Sequence, residues 1–179
     1  MISKKEFYFI RHGQTDYNAS DAKVDHEDVS LNAVGLRQAQ AVEPVIRTLP
    51  IKSICTSPLK RATETKEVIS SKLITAHHEI DALGECSFQI WNDMTSCGPS
   101  AYRSGKEHVK NFIQRVLTGL NETLSLEGPP LIVAHGGVHW AICCLMEVTE
   151  HDWFIDNCLP VHFFPDDTGR WKARKLLPK

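Results

Sequence analysis

The apolar run Phe7–Ile10 is the feature that most limits how this chain can fold. Four apolar residues without polar alternation are typical of a strand at the centre of a sheet that helices cover on both faces. The run stops at Arg11, His12 and Gly13. Ligands bind beyond the carboxyl ends of strands in open α/β sheets. A cation, an imidazole and a turn-permitting glycine at this point therefore predict a binding site.

The same arrangement recurs further along the chain, where predicted strands run into polar residues. Right-handed crossover connections would bring the ends of these strands to one rim of the sheet. The strands and the residues that follow them are Ile51–Thr56 before Ser57, Lys72–Ile80 before Glu85, and Leu131–Ala134 before His135.

Helical periodicity separates these strands, and the resulting order predicts the fold class. We expect a three-layer α/β/α sandwich, with a mostly parallel central sheet and an antiparallel edge formed by a final hairpin. The chain, residues 1–179, is expected to form one domain. Four main helices are predicted. The first starts at Asn32 and is kinked or ended by Pro44, and the second starts at a Ser57 cap. The other two span Glu107–Leu126 and Val138–Val148. The predicted hairpin strands are Val161–Pro165 and Arg170–Leu176.

Two segments lack a regular pattern. Asp16–Ser30 is polar and acidic and is predicted to be a loop, because its aspartates lack the glycine and the final glutamate of a calcium-binding EF-hand. The segment from about 86 to 104 contains Gly98 and Pro99 and is followed by Gly105, and it is predicted to be a loop or small lid over the site.

Composition excludes several classes of function. The net charge of −2 argues against a general nucleic-acid-binding protein, and no apolar run has the roughly 20 residues of a membrane span. The six cysteines contain no Cys-x-x-Cys pair, which argues against a zinc knuckle or a redox motif, and Cys143 and Cys144 are predicted core thiols. A cytoplasmic location is expected.

The polar residues at the predicted rim suit a phosphorylated ligand. Arg11 carries a permanent charge on a planar fork that matches phosphate, and His12 can act as nucleophile, base or acid near neutral pH. Arg61 lies one turn into a helix whose N-terminus would attract an anion. His135 and His139 have a zinc-like spacing, but Gly136-Gly137 between them predicts a turn rather than a helix. No metal site is therefore expected, and His139 is expected to pack or to line the pocket.

These blocks together resemble the histidine phosphatase superfamily, which has the phosphoglycerate mutase-like fold. The blocks are Phe9–Thr15 with Asn18, Ser57–Ala62, Leu83–Glu85 and Ala134–Gly137. They occur in the family's order and span most of the chain. The segment after Glu85 departs from the family pattern, which often continues with Gly and then Trp-Glu-Gly.

The resemblance implies a role for each matched residue and no cofactor. His12 would attack phosphorus and form a phosphohistidine, while Arg11, Arg61 and His135 would bind the phosphoryl oxygens. Glu85 would protonate the departing oxygen and then activate water. Further substrate-binding residues implied by the matched blocks are Gln14, Thr15, Asn18, Ser57 and the amide of Gly136.

Several activities remain open within this resemblance. A phosphatase acting on a small phosphorylated substrate is favoured, because the segment after Glu85 is short and only Arg103 and Lys106 add nearby positive charge. The alternatives are a phosphoglycerate mutase-type transfer, a phosphohistidine protein phosphatase, and a non-catalytic phosphate-binding module. The substrate and the oligomeric state are not predicted.

Overall fold

A six-stranded sheet forms the centre of the computed structural model, which describes residues 2–20 and 28–176. Across the sheet the strand order is β3-β2-β4-β1-β5-β6. The first four strands are parallel, and β5 and β6 are antiparallel to their neighbours. This confirms the predicted fold class. The strands are β1 (Phe7–Arg11), β2 (Ser53–Thr56), β3 (Ala76–Glu79), β4 (Pro130–Ala134), β5 (Pro160–Pro165) and β6 (Trp171–Lys175).

Helices cover both faces of this sheet, because β1 and β4 are apolar on both sides. The helices are α1 (Asp16–Ala19), α2 (Ala33–Ile46), α3 (Lys60–Ile69), α4 (Phe88–Cys97), α5 (Ala101–Ser104), α6 (Glu107–Ser125) and α7 (Gly136–Met146). Phe7 and Phe9 face the core formed with α6 and α7, whereas Tyr8 and Ile10 face the core formed with α2 and α3. No helix in residues 2–20 and 28–176 is long and apolar enough to cross a membrane.

Helix α2 starts at its predicted cap but does not end at its proline. The Asn32 side chain accepts a hydrogen bond from the Gly35 amide, as expected of an N-cap. The predicted early end is wrong, since the helix continues past Pro44 to Ile46. Pro44 and Gln40 are both exposed, so water can solvate the carbonyl that loses its amide partner.

Both segments predicted to be irregular contain helix. The short helix α1 occupies the start of the predicted loop Asp16–Ser30. Residues 21–27 of that predicted loop lie outside the described part of the chain. The second segment contains α4, whose first turn is capped by the Ser87 side chain accepting from the Ile90 amide. Gly98 ends α4 with a positive φ of 66°.

Two helix starts also differ from prediction. Gly136 and Gly137 form the first turn of α7, so the predicted turn between His135 and His139 is wrong. Helix α3 starts at Lys60, so Ser57 is not its cap. The Ser57 hydroxyl lies 2.7 Å from His135 Nε2 instead.

Candidate active site

The carboxyl ends of β1, β2 and β4 meet at one rim of the sheet, as their parallel pairing requires. The His12 amide donates to the Ala134 carbonyl at 3.0 Å, and the Ser57 amide donates to the Val133 carbonyl at 3.1 Å. The ring centroids of His12 and His135 consequently lie 5.2 Å apart. Residues that are up to 123 positions apart in the sequence therefore share one site.

The His12 imidazole is held in one orientation and one protonation state. Its Nδ1 lies 2.7 Å from the Gly13 carbonyl, and its Nε2 lies 3.2 Å from Nε of Arg61. A carbonyl accepts and a guanidinium donates, so Nδ1 carries the proton and Nε2 presents a lone pair. Burial disfavours the charged form and Arg11 and Arg61 repel it, which together lower the His12 pKa well below 6.5.

A buried threonine fixes the turn that holds this imidazole. The Thr65 hydroxyl accepts from the Gly13 amide at 3.0 Å and donates to the Arg61 carbonyl at 2.7 Å. Thr65 is fully buried, so both bonds are shielded from water. Thr65 is not among the residues predicted from the sequence, although its place one helical turn after Arg61 could have indicated it.

We expect Thr65→Val to destabilise the protein and to lower its activity. Valine has the shape of threonine but leaves the buried Gly13 amide without an acceptor, which costs about 1–3 kcal/mol of unfolding free energy. The Gly13 carbonyl would then orient His12 less well. Denaturant unfolding and kcat measure the two effects. Thr65→Ser, which keeps the hydroxyl, should retain most of the activity, and an equal loss of activity in both variants would contradict this role.

The two guanidinium groups reach the rim from different elements. Arg61, on the first turn of α3, is 6% exposed and contacts His12. Arg11 donates from Nη1 to the Ile155 carbonyl at 2.8 Å. At the N-terminus of α3 the Asp28 carboxylate accepts from the Lys60 amide at 2.6 Å.

The segment after α7 contributes a residue that the sequence analysis did not consider. The Asn157 side-chain amide donates to the His12 carbonyl at 2.7 Å. Its oxygen accepts from the Asn18 side chain at 2.8 Å. Asn18 in turn accepts from both the amide and the hydroxyl of Thr15. This chain of hydrogen bonds ties α1 to the end of β1.

His135 lies behind His12 and does not itself face solvent. It is fully buried, and so is the Ser57 hydroxyl beside its Nε2. Ser57 therefore orients His135 and is shielded from any ligand in the cleft. The Gln14 side chain points away from the cleft, since its oxygen accepts from the Asn32 side chain. The backbone amide of Gln14 donates to the side-chain oxygen of Gln38 on α2.

Glu85 is held at the N-terminus of α7 by two backbone amides. Its Oε1 accepts from the Cys86 amide at 3.0 Å, and its Oε2 accepts from the Gly137 amide at 3.2 Å. The positive end of the helix dipole favours a carboxylate at this place. The close approach requires a glycine, because a Cβ atom on Gly137 would lie 2.2 Å from Oε1.

A cleft of about 170 Å³ opens between these groups and the aromatic side chains of α1 and α4. Gly136 lines a second depression beside it, together with Glu85, Trp91 and Phe154. The structure therefore brings together most of the residues predicted for the site, while Gln14, Ser57 and the predicted phosphate-binding residue His135 lie outside the cleft wall. The cleft is lined by Arg11, His12, Thr15, Tyr17, Asn18, Arg61, Glu85, Cys86, Ser87, Phe88 and Trp91.

Known proteins share both this sequence pattern and this fold. The uncharacterized phosphatase PhoE of Bacillus subtilis is 30% identical over 91% of this chain and 90% of its own length. An agropine synthesis reductase of Rhizobium rhizogenes is 28% identical over 88% of this chain, which spans only 39% of that relative. A solved mycobacterial glucosyl-3-phosphoglycerate phosphatase superposes with a TM-score of 0.72 at 21% identity, covering 98% of this chain and 99% of its own.

A family model extends the resemblance beyond individual relatives. The model of the histidine phosphatase superfamily (branch 1) matches residues 7–159, a range that includes every residue of the cleft wall. The chain therefore belongs to the histidine phosphatase superfamily.

Proposed function

We propose that this protein hydrolyses a small phosphomonoester through a phosphohistidine formed on His12. The observation that carries the proposal is the neutral imidazole whose Nε2 lone pair lies beside the Arg61 guanidinium in the cleft. A phosphoryl group needs an in-line nucleophile, cationic donors for its oxygens and a proton for the leaving group. His12, the two arginines and Glu85 line one cleft and supply all three.

In the first step, Nε2 of His12 attacks phosphorus, and the bond between phosphorus and the ester oxygen breaks. Glu85 gives its proton to that oxygen, so the alcohol leaves as a neutral molecule. Arg11 and Arg61 bind the equatorial oxygens, where charge-assisted hydrogen bonds are strongest. The buried His135 ring lies behind His12, with the two ring centroids 5.2 Å apart.

In the second step, water attacks the phosphohistidine and releases inorganic phosphate. Glu85 now takes a proton from the attacking water, which restores the acid used in the first step. The bond between phosphorus and Nε2 breaks, and its electron pair returns to the imidazole. The Gly13 carbonyl keeps Nδ1 protonated, so the same tautomer is ready for the next cycle.

The lining of the cleft favours hydrolysis over a mutase reaction. Tyr17, Phe88 and Trp91 form an aromatic wall, and Trp91 packs edge-to-face against Phe154 at 5.6 Å. Among the described residues that line the cleft, Arg11 and Arg61 are the two with a permanent positive charge. A mutase acting on a sugar acid needs further cations for the substrate carboxylate, whereas an apolar leaving group suits aromatic walls.

A panel of phosphorylated compounds tests this proposal by release of inorganic phosphate. Aryl phosphates, alkyl phosphates, 3-phosphoglycerate and a phosphohistidine peptide would be compared at one enzyme concentration. We expect turnover of aryl phosphates without stimulation by a bisphosphorylated primer. Primer-dependent transfer with little hydrolysis would establish a mutase instead, and exclusive turnover of the peptide would establish a protein phosphatase.

Trp91→Ala is expected to weaken the binding of aryl phosphates selectively. One aromatic contact contributes about 0.5–1.5 kcal/mol beyond area burial, so KM should rise about 3- to 10-fold. Alkyl phosphates, which cannot stack, provide the internal control and should change less. Equal changes in KM for both substrate classes would show that Trp91 shapes the cleft without contacting the leaving group.

The low pKa of His12 predicts that the nucleophile stays neutral in mild acid. An ordinary histidine is half protonated near pH 6.5, whereas burial and the two arginines keep His12 neutral well below that pH. The unfolded chain then binds the extra proton, so this residue removes about 1.4 kcal/mol of stability per pH unit as pH falls below about 6.5. NMR titration of the His12 ring checks the prediction, and titration near pH 6.5 would contradict it.

A further inference from the structure

A second cluster of histidine and cysteine side chains lies outside the cleft. His139 and Cys143 are one turn apart on α7, and His151 reaches them from the segment that follows the helix. One ligand atom from each residue lies within 4.8 Å of the other two. His139 and Cys143 are fully buried, while His151 is partly open to solvent. The cluster is therefore reachable from one side.

Two of the three separations within this cluster are close to those of a tetrahedral metal site, and the third, between Cys143 and His151, is within 4.8 Å. Nε2 of His139 lies 3.2 Å from Nε2 of His151 and 3.8 Å from Sγ of Cys143. Zinc bonds of about 2.0–2.1 Å to nitrogen and 2.3 Å to sulfur, at tetrahedral angles, require about 3.3 Å between nitrogens and about 3.6 Å from nitrogen to sulfur. Shifts of a few tenths of an ångström would satisfy both distances.

The orientation of His139 independently favours coordination through Nε2. Its Nδ1 lies 3.0 Å from the Trp153 carbonyl and must donate to it, so Nε2 presents a lone pair to His151 and Cys143. A backbone carbonyl on the second ring nitrogen is the usual support of a metal-binding histidine. Phe9 and Phe163 pack against the ring at centroid distances of 5.2 and 5.7 Å, which keeps it in this position.

We propose that His139, Cys143 and His151 bind a zinc ion. Two imidazole nitrogens and one thiolate suit zinc, whereas magnesium and calcium prefer oxygen ligands. Cys143 binds as the thiolate, and its proton passes to solvent. Water from the open side next to His151 occupies the fourth position. Asp152, adjacent in sequence to His151, adds a negative charge near the ion.

The ion would act on the cleft only through the polypeptide chain. It joins α7 to the segment that carries Ile155 and Asn157. The Ile155 carbonyl accepts from Arg11, and the Asn157 side chain donates to the His12 carbonyl. The cluster residues are thus positioning residues for the cleft. Loss of the ion is expected to lower thermal stability and to change kcat less than loss of any cleft residue does.

Cobalt titration of the full-length, metal-stripped protein tests the site. One equivalent of Co²⁺ should give the visible bands of a tetrahedral ion and a thiolate-to-cobalt charge-transfer band, and one equivalent of Zn²⁺ should abolish both and raise the melting temperature. Cys143→Ala should remove the charge-transfer band. His151→Phe, which keeps a ring against Phe163, should weaken cobalt binding by at least about 100-fold.

Two control variants separate this site from other thiols and imidazoles. Cys144→Ala removes a neighbouring buried thiol that is directed to the Pro99 carbonyl, and should leave the cobalt spectrum unchanged. His12→Ala should also leave it unchanged, because the cleft histidines are not ligands. A charge-transfer band that survives Cys143→Ala would overturn the proposal. Cobalt affinity that is unaffected by His151→Phe would also overturn it. The absence of any bound metal would do the same, and the two imidazoles would then be joined by a direct hydrogen bond.

Discussion

His12→Ala is expected to reduce kcat by a factor on the order of 10⁴ to 10⁶, the range seen when a covalent nucleophile is removed. The variant keeps both arginines and Glu85, so phosphate can still bind, but no atom remains to accept the phosphoryl group. Truncation of the buried imidazole should lower the unfolding free energy by about 0.5–3 kcal/mol, the range of most single variants, and leave the protein folded. Chemical denaturation measures that change separately from activity.

A covalent trap makes the His12 result specific. Rapid quenching of the wild-type protein with a radiolabelled phosphomonoester should yield protein-bound phosphate that is stable in alkali and labile in acid, as expected of a phosphoramidate. The label should be absent from His12→Ala and present in His78→Ala, which alters a histidine on strand β3 outside the cleft. Turnover or labelling that survives His12→Ala would disprove the mechanism.

Gly137→Ala is expected to disable the proton donor without altering any ionisable group. The new methyl carbon would lie 2.2 Å from Oε1 of Glu85 and 2.7 Å from Sγ of Cys86, so the carboxylate must move. Loss of a positioned general acid lowers kcat by about 10²- to 10⁴-fold, and overpacking costs about 1–3 kcal/mol of stability. The loss should be largest for alkyl phosphates, whose leaving oxygen depends most on a proton.

Gly136→Ala provides the matched control for this prediction. It adds the same methyl group one residue earlier in α7, where the nearest atom, Nε of Arg11, lies 3.8 Å away. That is ordinary van der Waals contact, so kcat should fall far less than in Gly137→Ala. Comparison of kcat for aryl and alkyl phosphates in both variants measures the effect. Equal losses in the two variants would show that Gly137 does not act through Glu85.

The sheet and its rim follow from short-range patterns in the chain. The run Phe7–Ile10 is buried on both faces, and the amphipathic pattern of 107–126 forms α6 almost to the predicted ends. Such patterns succeed because burial of apolar side chains decides where strands and long helices form. Prediction failed at Pro44, because solvent exposure tolerates a proline inside the helix, and in 86–104, because the local cap at Ser87 was not recognised as a helix start.

What the sequence determined by itself was the family, the α/β architecture and the set of residues that end buried strands, because motif identity and hydrophobic periodicity are local properties. Only the tertiary structure decided which partners those residues have. Asn157 contacts the His12 turn, and His151 reaches His139, from places that no sequence spacing indicates. Hydrogen bonds between distant segments depend on how helices and loops pack over the sheet, and that packing is a property of the whole folded chain.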